Sequence, residues 1–408
     1  MSIGYRSQER PGQRHAWFRL VFVFSILAAS ELSGQALPYF ASAEGLGGET
    51  LKLELRGIIN TGTRTLSYTP QVWDAHKDLY EDPEDSSRLI LFYSGASWDK
   101  SAQDPGSGSE QYWNREHLWA NSYGIDGSRP AYTDLFHLVP ANKYVNNDRS
   151  NNYFDYADPK KPGYEDPANS IATQCKENSS LIWEPGDDKK GWVARAMLYM
   201  TTRYAHLELV DSPPSPEPDS SSNRMAQLSV MLEWNRRFPP SEKEHYINQR
   251  IQDDYQYNRN PYIDFPEFAD AVWITGPSWG GWRLEHFSLQ ELLDPAVSGD
   301  LADPDGDSMA NLVEMALYTD PRSPDPAPPI SLLLTGSGLV LSFSRASDLS
   351  NLNLFLLLEE SEDLQNWIPL PLDSATVSPD GPDRESVVLP LAIDGAARKY
   401  FRLKVIRP

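Results

Sequence analysis

The chain of 408 residues contains a single cysteine, Cys175, so no intrachain disulfide can form, and we assign this residue no role. Basic residues are also scarce, because 36 Lys and Arg stand against 58 Asp and Glu and give a formal net charge of −22. This excess argues against the broad polycationic surface of a stable nucleic-acid binder. A polyanion therefore has to be bound locally, by a few cations.

A long hydrophobic run is missing as well. The longest apolar stretch, 20–29, is shorter than the roughly 20 residues that span a bilayer. Four arginines precede it and small residues follow it at 33–36, an order typical of a secretory signal. We therefore predict a signal peptide over 1–36, with 41–43 as a second small-residue cleavage site, and a secreted or periplasmic protein without a later membrane span. An uncleaved anchor and a mis-assigned start codon are the alternatives.

The whole chain is rich in core-forming residues, with 12 Trp, 20 Tyr and 14 Phe, and is long enough for more than one domain. Apolar spacing predicts helices over 51–59, 191–204 and 225–238, and a strand over 88–93. The Pro- and Ser-rich segment 210–223 reads as a surface loop. We predict an α+β domain of mixed helices and short strands over 37–275, a linker over 276–325, and a small all-β sandwich over 326–408.

Two segments carry the residues that suggest chemistry, WNREHLWANSYG at 113–124 and TDLFHLVPANKYVNNDRSNNY at 133–153. Phosphodiester hydrolysis needs a base to deprotonate water and a cation to neutralise the phosphate. Glu116, His117 and Asn146 offer an imidazole and two oxygen donors, and oxygen is the ligand that Mg²⁺ prefers. Neighbouring residues of a strand point to opposite faces, so Glu116 and His117 can share a site only where the strand bulges or ends.

These segments resemble those of the bacterial endonuclease I family of secreted or periplasmic nucleases, which belongs to the ββα-metal (His-Me finger) superfamily. The triplet 115–117 (Arg-Glu-His) matches the end of the family's first strand, 134–138 (Asp-Leu-Phe-His-Leu) its second strand, and 145–149 (Val-Asn-Asn-Asp-Arg) its helix. The likeness covers most of 39–273. The sequence departs from the family at Phe136, where relatives usually have His, and at Asn235, where many have His.

The resemblance implies a ββα-metal finger and a catalytic site within it. His117 is the expected general base, and Glu116 and Asn146 are the expected ligands of Mg²⁺, for which Mn²⁺ or Ca²⁺ can substitute. The implied reaction is nonspecific hydrolysis of DNA, and of RNA as a second substrate, to 5′-phosphate products by a monomer. Further expected site residues are Arg149 as a catalytic residue, and Arg115, His137 and Asn147 as substrate contacts.

Several alternatives remain open from the sequence. Asn146 can instead cap its helix, with Asn147 as the metal ligand. Arg149 can clamp a phosphate through two hydrogen bonds, or pair with Asp148 or Asp134. We expect Arg195 and Arg259 to be buried ion-pair partners. The rival function is a catalytically weak or inactive nuclease fold that binds a surface, glycan or partner through the C-terminal β-domain.

A second candidate metal site lies in the predicted linker. The twelve residues 303–314 place oxygen ligands at positions 1, 3, 5, 7, 9 and 12, the spacing of an EF-hand calcium loop. Ser308 stands at position 6, where glycine is expected, and strains the turn. The alternative is a solvated acidic turn that caps the helix beginning near Ala310, whereas a bound Ca²⁺ would rigidify the junction. The expected Ca²⁺ ligands are Asp303, Asp305, Asp307, Asn311 and Glu314, together with the carbonyl of Met309.

Overall fold

The computed structural model describes residues 36–106, 111–128, 130–157, 165–166, 171–172, 176–178, 182–211, 222–225, 227–325, 330–336, 338–391 and 399–407. Residues 1–35 of the predicted signal peptide, Cys175 and most of the segment 210–223 lie outside these ranges. Within them, no helix is both long enough and apolar enough to cross a membrane.

Helices and short strands alternate through the first three quarters of the chain, and the predicted α+β class is confirmed. The helices are α1 (Gly48–Asn60), α2 (Gln71–Leu79), α3 (Lys143–Arg149), α4 (Asp187–Arg203), α5 (Leu228–Arg237), α6 (Glu242–Arg250), α7 (Pro261–Asp264), α8 (Glu267–Trp273), α9 (Trp279–His286), α10 (Leu289–Leu292), α11 (Pro295–Ser298) and α12 (Asn311–Leu317). Short 3-10 helices lie at Ala41–Ala43 and Pro130–Thr133, and a π-helical turn at Ile251–Tyr255.

The strands before residue 226 are short and form small separate sheets. They are β1 (Glu81–Asp82), β2 (Asp85–Ile90), β3 (Ser97–Asp99), β4 (Trp113–His117), β5 (Leu138–Asn142), β6 (Tyr153–Phe154), β7 (Glu165–Asp166), β8 (Ile171–Ala172), β9 (Lys176–Asn178), β10 (Ile182–Glu184), β11 (Glu208–Leu209) and β12 (Arg224–Met225). The strand predicted at 88–93 begins earlier, at Asp85, and ends at Ile90, three residues before Tyr93.

The three predicted helices are present as α1, α4 and α5. In α1 the residues Leu51, Leu55 and Ile59 recur every four positions and are fully buried, as one apolar stripe requires. Helix α4 is buried on nearly all sides because it packs against α1, α5 and α7. The third helix begins three residues later than expected, since Arg224 and Met225 pair with β11 instead.

Strands β4 and β5 and helix α3 form a compact ββα unit. The two strands pair antiparallel in regular register, from Trp113 opposite Asn142 to His117 opposite Leu138. Asn142 ends β5 and also caps α3, because its side chain accepts a hydrogen bond from the backbone N–H of Tyr144 at 2.9 Å. The helix therefore starts without a loop, and its side chains are placed directly against the end of β4.

The C-terminal part is the predicted all-β sandwich. Its strands are β13 (Ser331–Thr335), β14 (Gly338–Ala346), β15 (Phe355–Ser361), β16 (Ile368–Leu370), β17 (Thr376–Pro379), β18 (Arg384–Leu391) and β19 (Tyr400–Ile406). They form two sheets, ordered β13-β14-β18-β17 and β16-β15-β19. Trp282 of α9 and Met315 of α12 join Leu341, Phe343 and Leu358 in the sandwich core, so helices of the predicted linker pack on this part. The domain boundaries stay predictions.

Candidate active site

A polar cavity of about 320 Å³ opens where β4 ends beside α3. It brings together Glu116, His117 and Asn146, which the sequence places 30 residues apart in two segments. The cavity is lined by Tyr68, Arg115, Glu116, His117, Ala120, Asn121, Tyr132, Asn146, Asn147, Arg149, Ser150 and Asn151.

Glu116 and His117 serve the same cavity because their strand ends there. The pairing with β5 stays regular through His117, so no bulge is needed. Glu116 is 2% exposed and His117 is 8% exposed. Glu116 and His117 therefore share the cavity because β4 ends at His117, and not because the strand bulges.

His117 is held in one tautomer by the main chain. Its Nε2 lies 3.0 Å from the carbonyl oxygen of Tyr132, to which it donates, and its ring packs against the Tyr132 ring at 4.7 Å. Burial, followed by the nearby His137, lowers the pKa of His117 to about 3. The ring is therefore neutral, and Nδ1 carries the lone pair that a general base requires.

Glu116 is a buried carboxylate with two polar neighbours. The hydroxyl of Tyr93 donates to its Oε1 at 2.9 Å, and the guanidinium of Arg149 lies 3.2 Å from the same oxygen. Burial raises the pKa of Glu116 to about 7, against the opposing effects of Arg149 and Tyr93. Such a carboxylate gains from an additional positive charge, which is what a metal ion provides.

Asn146 presents an amide oxygen to the cavity. Its Nδ2 donates to Oδ1 of Asn114 at 2.8 Å, which leaves Oδ1 of Asn146 as the atom that can bind a cation. Asn146 does not cap α3, because Asn142 does. Asn147 also lines the cavity, so it remains the alternative ligand.

Arg149 is anchored on the end of β4 and on Glu116. It is 1% exposed and donates to the carbonyl oxygens of His117 at 2.8 Å and Leu118 at 2.6 Å, besides its ion pair with Glu116. Pairing with Asp134 is wrong, because that carboxylate binds Arg203 at 2.6 Å. The guanidinium thus fixes the end of β4 through the backbone oxygens of His117 and Leu118.

His137 supports His117 and does not face the cavity. It is fully buried, its Nε2 lies 2.7 Å from the carbonyl oxygen of Ala131, and its ring lies 5.4 Å from that of His117. His137 is not among the residues that line the cavity, so its expected role as a substrate contact stays a prediction. Phe136, the departure from the family pattern, is buried against Tyr199 at 4.7 Å and does not line the cavity.

Arg115 links the cavity to a second one. Its guanidinium lies 3.3 Å from the ring centre of Tyr68 and 4.0 Å from that of Trp73, and donates to the carbonyl oxygen of Tyr68. A neighbouring cavity of about 480 Å³ shares Tyr68 and Arg115 with the first. The two cavities together form a continuous polar and aromatic surface beside His117.

Arg195 and Arg259 lie away from the cavity. Both are about 1% exposed and form ion pairs, with Glu244 at 2.8 Å and Asp264 at 2.6 Å respectively. They are buried structural partners, as predicted. The residues 303–314 do not line the cavity either, so the two candidate metal sites are separate.

Four neighbours of the site were missed from the sequence, Tyr68, Tyr93, Asn114 and Tyr132. Asn114 had a usable signal, because it lies two residues before Glu116 on the same strand and so on the same face. The three tyrosines approach from other elements and carry no motif of their own.

The model of the endonuclease I family matches residues 47–267, a range that contains the ββα unit and every residue lining the first cavity. This chain belongs to the endonuclease I family. It is a nuclease that hydrolyses phosphodiester bonds. Of the two functions predicted from the sequence, a nuclease and a binding protein, these similarities support the nuclease.

Two similar proteins are named extracellular ribonucleases. One comes from Bacillus amyloliquefaciens and is 41% identical over 245 residues, and the other comes from Bacillus subtilis (strain 168) and is 41% identical over 247 residues. In both cases the alignment covers 58% of this chain and 78% of the relative. The similarity thus leaves more than a third of the present chain unmatched.

Proposed function

We propose that this member of the endonuclease I family is a secreted, metal-dependent and nonspecific endonuclease that yields 5′-phosphate products. The observation that carries the proposal is the convergence of Glu116, His117 and Asn146 on one cavity, with Nε2 of His117 bound to a backbone carbonyl. The secreted location is supported by the name of the two similar proteins and by the signal peptide predicted over residues 1–36.

His117 is the proposed general base. With Nε2–H donated to the carbonyl of Tyr132, Nδ1 takes a proton from the attacking water, and the positive charge that develops on the ring is stabilised by the same carbonyl. Arg149 holds the carbonyls of His117 and Leu118, so it keeps the base in place. As the water oxygen bonds to phosphorus, the bond from phosphorus to the 3′-oxygen breaks and that oxygen takes a proton from water, so the phosphate stays on the 5′-carbon of the nucleotide downstream of the cut.

The residues present fit a magnesium ion. Glu116 and Asn146 provide two hard oxygen donors, and a cavity of about 320 Å³ leaves room for the waters that Mg²⁺ retains. When held by these two side chains, Mg²⁺ supplies positive charge next to the scissile phosphate and the departing oxygen. This local charge answers the objection raised by the overall charge of −22.

The substrate is proposed to be DNA and RNA. The attack uses water activated by His117, so the proposed reaction does not require a 2′-hydroxyl. Arg115 and Tyr68 lie between the two cavities, where an extended strand can place a phosphate and a base. Contacts of this kind read no sequence, so cleavage is expected to be nonspecific.

The test is cleavage of matched single- and double-stranded DNA and RNA with Mg²⁺, Mn²⁺, Ca²⁺ or EDTA. His117→Ala is expected to lower the cleavage rate at least about 100-fold, because the base is lost. Asn146→Ala is expected to raise the Mg²⁺ concentration needed for cleavage, and Asn147→Ala is expected to raise it less. His286→Ala, which changes a histidine beside Asp320 outside the cavity, serves as the control.

Undiminished cleavage by His117→Ala would remove the proposed base. Full activity in EDTA would remove the metal. A larger effect of Asn147→Ala than of Asn146→Ala would reassign the ligand, and cleavage of only one nucleic acid would restrict the substrate.

A further inference from the structure

An acidic loop joins α11 to α12, away from the nuclease cavity. Asp303, Asp305 and Asp307 each offer one carboxylate oxygen, and these oxygens lie within 4.8 Å of one another. Oxygen ligands of one Ca²⁺ ion, each at about 2.3–2.6 Å from it, fall within this spacing. Exposed acidic turns are common without an ion, so the cluster alone does not define a metal site.

Glu314 provides the second and independent observation. It stands at the twelfth position of the loop and is 0% exposed, yet neither of its carboxylate oxygens has a hydrogen-bond partner among the described residues. A carboxylate buried in this way is strongly unfavourable unless a cation compensates it. In EF-hand loops this position supplies the bidentate ligand.

The charged neighbours of Glu314 include the acidic cluster. The carboxylates of Asp305, Asp307, Asp325 and Asp303 all act on it electrostatically. Three of these four carboxylates form the cluster.

Asn311 is a further buried ligand candidate. It is 1% exposed, and its Nδ2 donates to the carbonyl oxygens of Val297 and Gly299, each at 2.9 Å. These two bonds fix the amide, while its Oδ1 has no partner within the described ranges. Oδ2 of Asp305 is buried and unpartnered in the same sense.

The backbone of the loop follows the turn that the spacing predicts. Ser308 at the sixth position has φ 76°, in the left-handed region that glycine adopts more easily. Its N–H donates to Oδ2 of Asp303 at 3.0 Å, which holds the strained residue in place. The strain expected from the sequence at Ser308 is therefore present in the structure.

We propose that residues 303–314 bind one Ca²⁺ ion and that this ion stiffens the connection between the nuclease part and the β-sandwich. The wide ligand set favours Ca²⁺, which takes six to eight oxygens, over Mg²⁺, which rarely occupies an all-protein cage. The ligands are the side chains of Asp303, Asp305, Asp307, Asn311 and Glu314, and the carbonyl of Met309.

The contacts on both sides of the loop explain the stiffening. Upstream, Arg283 binds Glu267 of α8 at 2.9 Å and also the carbonyl oxygen of Ser298, so the start of the loop is tied to the nuclease part. Downstream, Glu314 lies in α12, whose Met315 and Leu317 are buried in the sandwich core. An ion bound by both the loop and Glu314 therefore connects the nuclease part to the β-sandwich.

The test measures Ca²⁺ binding to the full chain by calorimetric titration up to ~10 mM Ca²⁺ and by thermal unfolding. The Glu116→Gln background removes the proposed ligand in the nuclease cavity, so that only the loop is titrated. We expect one ion per chain and a rise in Tm of about 3–6 °C at saturation. Equal concentrations of Mg²⁺ are expected to give a much smaller rise.

Two loop variants decide the assignment. Glu314→Gln and Asp303→Asn are each expected to weaken Ca²⁺ binding at least about 10-fold and to lose the rise in Tm, while Mg²⁺-dependent cleavage with Glu116 intact is retained. Asp303 is exposed, so Asp303→Asn keeps the test valid if Glu314→Gln fails to fold. Glu285→Gln, at an exposed carboxylate of α9, is the matched control.

Wild-type affinity in both loop variants would overturn the proposal, as would the absence of Ca²⁺ binding by the full chain. An equal rise in Tm with Mg²⁺ would overturn the assignment to calcium.

Discussion

Glu116→Gln is expected to stabilise the metal-free protein while abolishing its activity. Burial raises the pKa of Glu116 to about 7, from an ordinary value of 4.5. Between these two pH values the folded protein holds a proton that the unfolded chain releases, so stability is full below pH 4.5 and is lost as the pH rises to 7. At 1.36 kcal/mol per pH unit the loss amounts to about 3 kcal/mol.

Glutamine mimics the protonated acid in shape and charge. It can still accept the hydrogen bond of the Tyr93 hydroxyl, and Arg149 keeps its bonds to the carbonyls of His117 and Leu118. The variant is therefore expected to be more stable than the parent by roughly 3 kcal/mol at pH 8, and by almost nothing at pH 4.5. Cleavage in Mg²⁺ is expected to fall at least about 100-fold, since a carboxylate ligand is lost.

Urea unfolding in EDTA at pH 5 and pH 8 measures the first effect, and plasmid cleavage in Mg²⁺ measures the second. The parent and the variant are compared at each pH, which cancels the other groups that titrate in this range. Glu285→Gln is the control for loss of a surface carboxylate. A variant less stable than the parent at pH 8, or a stability difference that does not change with pH, would refute the reasoning.

Two further predictions concern buried positions outside the cavity. Gly191→Ala is expected to lower the free energy of unfolding by about 3 kcal/mol, because a Cβ there would lie 2.1 Å from the carbonyl oxygen of Phe238. Gly57→Ala, in open space on α1, is the control and should raise the free energy of unfolding by roughly 0.5 kcal/mol. Equal effects of the two substitutions in urea unfolding would contradict this prediction. His76 has a folded pKa of about 3 and an ordinary value of 6.5, so stability should fall as the pH drops below 6.5, by about 2.7 kcal/mol at pH 4.5. His76→Gln should flatten that slope in Tm measurements while His286→Gln does not, and an unchanged slope would exclude His76 as its source.

The ββα unit was predictable because its parts are consecutive and their functional residues stand at strand and helix ends. Helices α1, α4 and α5 were predictable from apolar spacing. The main ion-pair partner of Arg149 was not predictable. The choice between Asp134 and Glu116 depends on how α3 packs against β4, and Asp134 is bound by Arg203 of α4 instead. Strand β17 was missed because its residues are all exposed and give no alternation.

The tyrosines around the site were beyond the reach of sequence patterns for a different reason. Tyr68 and Tyr93 come from segments more than 20 residues before Glu116, and they reach it through tertiary packing alone. The sequence also could not show that the Glu314 carboxylate lacks a hydrogen-bond partner among the described residues, although its spacing to Asp303 was visible.

The side chains of the site are held largely by main-chain carbonyls. Tyr132 and Ala131 hold the two imidazoles through their backbone oxygens, and the backbone oxygens of His117 and Leu118 hold Arg149. Backbone oxygens are the same whatever the side chain, so substitutions at 118, 131 and 132 leave these acceptors in place. Insertions or deletions between 118 and 132 shift them. Homologous nucleases should therefore vary in composition along this segment far more readily than in length.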